Sequence, residues 1–138
     1  MEVFAGYSDC PVQVMPASSY GVNNCGLNAL AYFGIIKNTQ YDKIRQIFEN
    51  PNGMFLFEDL GRICAAHPNR PNLICLSPSN KEFNTRLAYT GSKECIFIVH
   101  DMDHYEPIEV DEKRFLKSVL KNNKNNPEFI KVVKKIIN

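Results

Sequence analysis

The chain of 138 residues lacks an excess of either charge: Lys and Arg total 16 against 15 Asp and Glu, leaving a formal +1. Without a global field there is no electrostatic basis for wrapping nucleic acid or lying on an anionic membrane, so binding must be local. A long apolar run is also missing. Nothing approaches the roughly 18 residues a helix needs to cross a bilayer, which predicts a soluble chain with no membrane contact. Cysteine is present but unpatterned: five residues, an odd count, with no C-x-x-C pair and no secretory signal read ahead of them. This argues against a disulfide framework and predicts reduced thiols in a cytosol-like compartment, hence a cytoplasmic protein. There is no internal repeat, and the length suits one domain over residues 1–138 with a core large enough to stand without staples.

What is present reads as helices first and a hairpin late. Val3-Phe4 and Val12-Gln13-Val14-Met15, punctuated by Pro and Gly, suggest short strands or an extended arm. A helix apolar on almost every side is predicted over Cys25–Lys37, through Leu27, Leu30, Phe33, Ile35 and Ile36. Asn38-Thr39 signals a cap for a second helix to Glu49, and a third is predicted over Phe57–His67. Leu73–Leu76 reads as a strand, and Ser77-Pro78-Ser79-Asn80 as the cap of a short helix to Leu87. Cys95–Val99 and Tyr105–Val110 flank Asp101-Met102-Asp103 as an antiparallel hairpin, followed by helices over Glu112–Leu120 and Pro127–Ile137. This order predicts an α+β domain in which the Cys25 helix packs against the hairpin of a small antiparallel sheet.

Tyr20-Gly21-Val22-Asn23-Asn24-Cys25 is a run of small and turn-prone residues that ends in a thiol on the first turn of that helix. Unpaired backbone N–H groups and the helix dipole favour negative charge there, and so favour a thiolate nucleophile. Most free cysteines only pack, so the case for Cys25 depends on a base elsewhere in the chain. The chain has three histidines, at 67, 100 and 104. His67 ends a helix before Pro68, where a cation merely complements the dipole. His104 opens a strand on which His104, Glu106, Ile108 and Val110 share one parity, so the imidazole and the Glu106 carboxylate face the same way. Such a carboxylate fixes the ring tautomer and steadies the imidazolium. Asp111 is the alternative acid, on the opposite parity of a regular strand. His100, Asp101, Asp103 and His104 offer two imidazoles and two carboxylates to zinc or iron, but no second His/Cys pair at ligand spacing supports a site. No metal and no other cofactor is expected.

Asn23-Asn24-Cys25-Gly26-Leu27-Asn28-Ala29-Leu30 resembles the nucleophile segment of papain-like proteases from positive-strand RNA viruses. Coronavirus-type enzymes show Asn-Asn-Cys before an apolar helix, and the aphthovirus leader protease shows Asn-Cys-x-Leu-Asn-Ala, matched by Asn24 to Ala29. His104-Tyr105-Glu106-Pro107-Ile108 resembles the histidine strand of ovarian-tumour-type (OTU) deubiquitinases, where an Asn or acid two residues after His orients it. Val22 and Asn23 stand where the OTU motif has Asp-Gly. Ser118 and Val119 stand where viral papain-like enzymes carry an acid. A small nidovirus enzyme of torovirus type is the nearest description.

The resemblance implies a cysteine peptidase in which Cys25 attacks a peptide or isopeptide carbonyl, with His104 as acid and base and Glu106 as third member. The oxyanion would be met by the Cys25 backbone N–H and a second donor. Tyr20 occupies the position of the family's side-chain donor, with Asn24 and Asn23 as alternatives unless they only cap the helix. Gly26 is read as keeping the cleft clear of side chains. The implied partners are ubiquitin or a ubiquitin-like modifier such as the interferon-stimulated one, and the virus's own polyprotein, acted on by a monomer. The competing reading is an inactive module of the same fold that binds ubiquitin-like partners without turnover.

Overall fold

The structure is a computed structural model that describes residues 10, 12–16, 20–77 and 84–138. In chain order its elements are β1 (Gln13–Val14), α1 (Cys25–Tyr32), α2 (Tyr41–Ile47), α3 (Phe57–Ala66), β2 (Asn72–Ser77) and β3 (Asn84–Ala88). They continue with β4 (Cys95–Asp101), β5 (His104–Glu109), α4 (Glu112–Asn122) and α5 (Pro127–Ile137), and a 3-10 turn, Asn38–Gln40, precedes α2. The fold is mixed α and β, one open five-stranded sheet with helices on both faces, in keeping with the α+β expectation. None of the described helices is long and apolar enough to cross a membrane.

Sheet order is β1-β5-β4-β2-β3. Every neighbouring pair is antiparallel except β2 and β4, which run parallel. That pair corrects the expectation of a purely antiparallel sheet. Its cause lies in the burial of β2, whose six residues are all buried. A strand covered on both faces reads as a continuous apolar run and belongs in the middle of a sheet, so later strands add on either side of it. Odd-numbered Leu73 and Cys75 face α1 and α3, packing with Leu27, Leu30, Leu60 and Cys64. Even-numbered Ile74 and Leu76 face α4 and α5, packing with Phe115, Val119, Val133 and Ile136.

Two other expectations give way. The stretch predicted as a helix to Leu87 is strand β3 over Asn84–Ala88, paired antiparallel with β2, while residues 78–83 lie outside the described residues. Leu87 packs into one core and Ala88 into the other, and this two-sided burial outweighs a local cap signal. Helix α1 stops at Tyr32, five residues before the predicted Lys37. Gly34 has φ +76, and the Phe33, Gly34 and Ile35 N–H groups bond back to Leu30 and Ala31, a left-handed glycine stop. The strand suggested at Val3-Phe4 lies outside the described residues, whereas Gln13–Val14 forms β1, paired with Ile108 and Glu109 of β5.

Candidate active site

Helix α1 packs on β5, and the loop before it opens onto the turn at the end of the β4–β5 hairpin. Between them is a cleft of about 310 Å³ whose lining includes Asn24, Cys25, Met54, His104, Tyr105 and Glu106. Cys25, His104 and Glu106 thus all line one depression at the sheet's end, although α1 packs on the Tyr105 face of β5 and His104 and Glu106 take the other parity, with Ile108. Cys25 is the first residue of α1, where backbone N–H groups have no partner within the helix. It is half-buried, and the only one of the five unbridged cysteines that lines this cleft. Burial pushes the Cys64 and Cys95 thiols up to about 12 and Cys75 up to about 11, which suits packing and not nucleophilic chemistry.

The hairpin turn is formed by Met102 and Asp103, both left-handed at φ 50 and 62, a geometry that matches strand twist but is usually taken by Asn-Gly. It delivers His104 directly at the start of β5. The imidazole Nε2 lies 3.2 Å from Glu106 Oε1, as the shared parity predicts, and the two side chains are 60% and 40% exposed. With Nε2–H donated to the carboxylate, Nδ1 keeps its lone pair for proton exchange. His100 belongs to the other face of the hairpin. Its ring stacks on Tyr105 at 4.1 Å and its Nδ1 lies 3.3 Å from Arg86 Nη2. Burial, then the neighbouring Arg86 charge, lower its pKa below the ordinary histidine value. The four residues of the metal reading are therefore divided between the two faces. Among the described residues no group of three or more His, Cys, Asp or Glu is gathered to hold a metal.

The remaining predicted residues have distinct placements. Asp111 caps α4, its carboxylate accepting from the Arg114 N–H at 3.3 Å, and it does not line the cleft. Tyr20 is 52% exposed, with its ring edge-to-face on Tyr41 and outside the cleft lining. Its carbonyl is the part turned inward, accepting from Asn24 Nδ2 at 3.0 Å and Asn28 Nδ2 at 3.3 Å. Asn24 lines the cleft but its side chain does not cap α1. Asn23, at φ 58, donates from Nδ2 to the Asn52 carbonyl at 2.7 Å. Gly26 faces the interior: a Cβ there would stand 3.1 Å from both Leu60 methyls and 3.5 Å from the Tyr105 ring. Its small size thus serves the seating of α1 on α3 and β5, which corrects the reading that it clears the cleft.

Sequence reasoning missed two supports. Tyr41, whose hydroxyl burial pushes up to about 12, donates at 2.6 Å to Asn28 Oδ1 and so fixes the amide that holds the Tyr20 carbonyl. Arg45, on α2, is buried beneath the nucleophile loop and bonds to both Asn23 and Asn24. Tyr41 recurs at helical spacing with Ile44, Ile47 and Phe48, which signals its burial but not its hydrogen bond, and Arg45, a polar residue beside Ile44 in a short helix, reads equally well as solvent-facing. Comparison of the chain with models of known protein families, with curated proteins and with solved structures found no match.

Proposed function

We propose that the chain is a papain-like thiol hydrolase that cleaves peptide or isopeptide bonds, with Cys25 as nucleophile, His104 as acid and base and Glu106 orienting the imidazole. The observation that carries this reading is that Cys25, which begins a helix, and His104, paired with the Glu106 carboxylate, line one cleft. Cys25 Sγ, having given its proton to His104 Nδ1, bonds to the carbonyl carbon, and the oxyanion is met by the Cys25 backbone N–H and the Asn24 amide. Collapse of that intermediate breaks the C–N bond, and His104 returns the proton to the leaving amine. Water, deprotonated by His104, then splits the thioester and restores the thiol.

Substrate class follows from the resemblance and from the rim. Val22, Leu56 and Met102 are each more than half exposed, and each is one or two residues from a residue lining the cleft. Apolar groups so placed suit a protein substrate and not a small polar one. Ubiquitin or a ubiquitin-like modifier is the expected substrate, with viral polyprotein as the second class. The test is incubation with ubiquitin bearing a C-terminal electrophile. Covalent capture that disappears in Cys25→Ala is the expected result. Absence of an adduct at any pH near neutrality would leave a binding module of the same architecture, and retention of the probe without a covalent bond would identify it.

A further inference from the structure

Arg45 is 8% exposed, and its guanidinium spans two loops. Nη1 donates to the carbonyls of Asn50 at 3.0 Å and Gly53 at 2.8 Å. Nη2 donates to the Asn23 carbonyl at 3.0 Å and to Asn24 Oδ1 at 2.6 Å. The cation also sits 5.0 Å from the centre of the Phe55 ring. A guanidinium has donors and no acceptor, so Asn24 must turn its oxygen toward Arg45. Its nitrogen then lies on the other side, 3.0 Å from the Tyr20 carbonyl and against Gly21, where a Cβ would come within 2.3 Å of it. Gly21, Asn24 and Cys25 all line the cleft. One Nδ2 hydrogen serves Tyr20, and the second remains for an acceptor arriving beside Cys25. A flipped amide would present an oxygen there and repel an oxyanion.

We propose that Arg45 is the positioning residue of this site: by holding Asn24 Oδ1 and the Asn23 carbonyl, it sets the Asn24 amide nitrogen on the cleft side beside Cys25. The same grip fastens the nucleophile loop to the Asn50–Gly53 turn, which leads into Met54 of the cleft wall. Neither Lys nor a neutral side chain reproduces a planar fork that reaches four oxygens at once. This inference rests on the reading of Cys25 as nucleophile, and its test separates the two.

Hydrolysis of ubiquitin C-terminal aminocoumarin reports on oxyanion stabilisation, and site-resolved alkylation by iodoacetamide, which forms no oxyanion, reports on the thiol alone. In Arg45→Met, kcat/KM is expected to fall at least tenfold, mainly through kcat, with alkylation of Cys25 within threefold of wild type. The double variant Arg45→Met with Asn24→Ala should be no more than twofold slower than Asn24→Ala alone, because both remove one device. Asn24→Asp keeps an acceptor for Arg45 as an ion pair, so it should fold while losing hydrolysis to the same degree. Turnover within threefold of wild type in folded Arg45→Met overturns the proposal, as do multiplicative losses in the double variant. Where Arg45→Met does not fold, full turnover by Asn24→Asp overturns it. If the wild type hydrolyses nothing, the protease reading fails, and unchanged amide exchange over Gly21–Cys25 in Arg45→Lys would overturn the positioning role as well.

Discussion

At the scale of single residues, the two candidate acids carry different duties, and one pair of substitutions separates them. Glu106→Ala removes the partner that fixes the His104 ring, so kcat/KM should drop by about tenfold or more with little change in the unfolding midpoint. Asp111→Ala removes a helix cap, so stability should fall by about 1 kcal/mol while kcat/KM stays near wild type. Equal and near-wild-type rates for both would leave a Cys–His dyad. His100 gives a prediction in pH. Its folded pKa lies below the ordinary 6.5, because burial and Arg86 oppose its charge. As pH drops through about 6.5 the unfolded chain takes up a proton that the folded chain resists, so stability falls in that window. Urea midpoints from pH 7.5 to 5 should decline in the wild type and decline less in His100→Gln.

At this scale the sequence was most legible where chemistry requires a pattern. The thiol ending a turn-rich run and the shared parity of His104 and Glu106 are visible in the letters, because strand geometry fixes which side chains are neighbours. Arg45 was not legible. A cation in a short helix ordinarily faces water, and it is buried here only because the nucleophile loop, 22 residues back in the chain, meets the turn that follows its own helix.

Elements decide how finely the site is held. Helix α3 lies so close to the sheet that a Cβ on Gly61 would stand 2.7 Å from the Ala88 Cβ, an atom fixed by its own backbone. Gly61→Ala should therefore push α3 off β3 and cost about 1–3 kcal/mol, seen as a lower urea midpoint with an unchanged m-value. A midpoint at or above wild type would mean that the helix has slack. Helices α3, α4 and α5 were legible to within two residues from apolar spacing and caps. Strand β3 was not, since Asn84–Ala88 has too few residues to establish a period and its state is fixed by the β2 edge it joins. The parallel pairing of β2 and β4 was likewise hidden, because which strands become neighbours depends on what covers them and not on their own composition.

For the whole molecule, the second core matters as much as the one beneath Cys25. Val133 is fully buried and Ile136 nearly so, both packed with Phe115 and Val119 on the sheet face opposite α1. Lys131, Lys134 and Lys135 on the same helix are solvent-facing or at its rim, so α5 is a structural lid with a basic exterior. Truncation after Asn126 should abolish cooperative unfolding and not merely weaken partner binding. A truncated chain that melts as sharply as the full one would show that α5 is dispensable.

The pairing of β1 with β5 joins Gln13 to Glu109 and Val14 to Ile108, so the arm that leads to the nucleophile is sewn to the strand that begins with His104. Such contacts, about two thirds of the chain's length apart, are slow to form and must wait for the later segment. On the ribosome the cysteine emerges long before its histidine. A chain synthesised only as far as β4 carries the thiol and the helix but neither His104 nor Glu106, nor the strand that clasps the arm. The chemistry proposed for Cys25 would thereby be timed by translation itself, with the hairpin the last part of the candidate site to arrive.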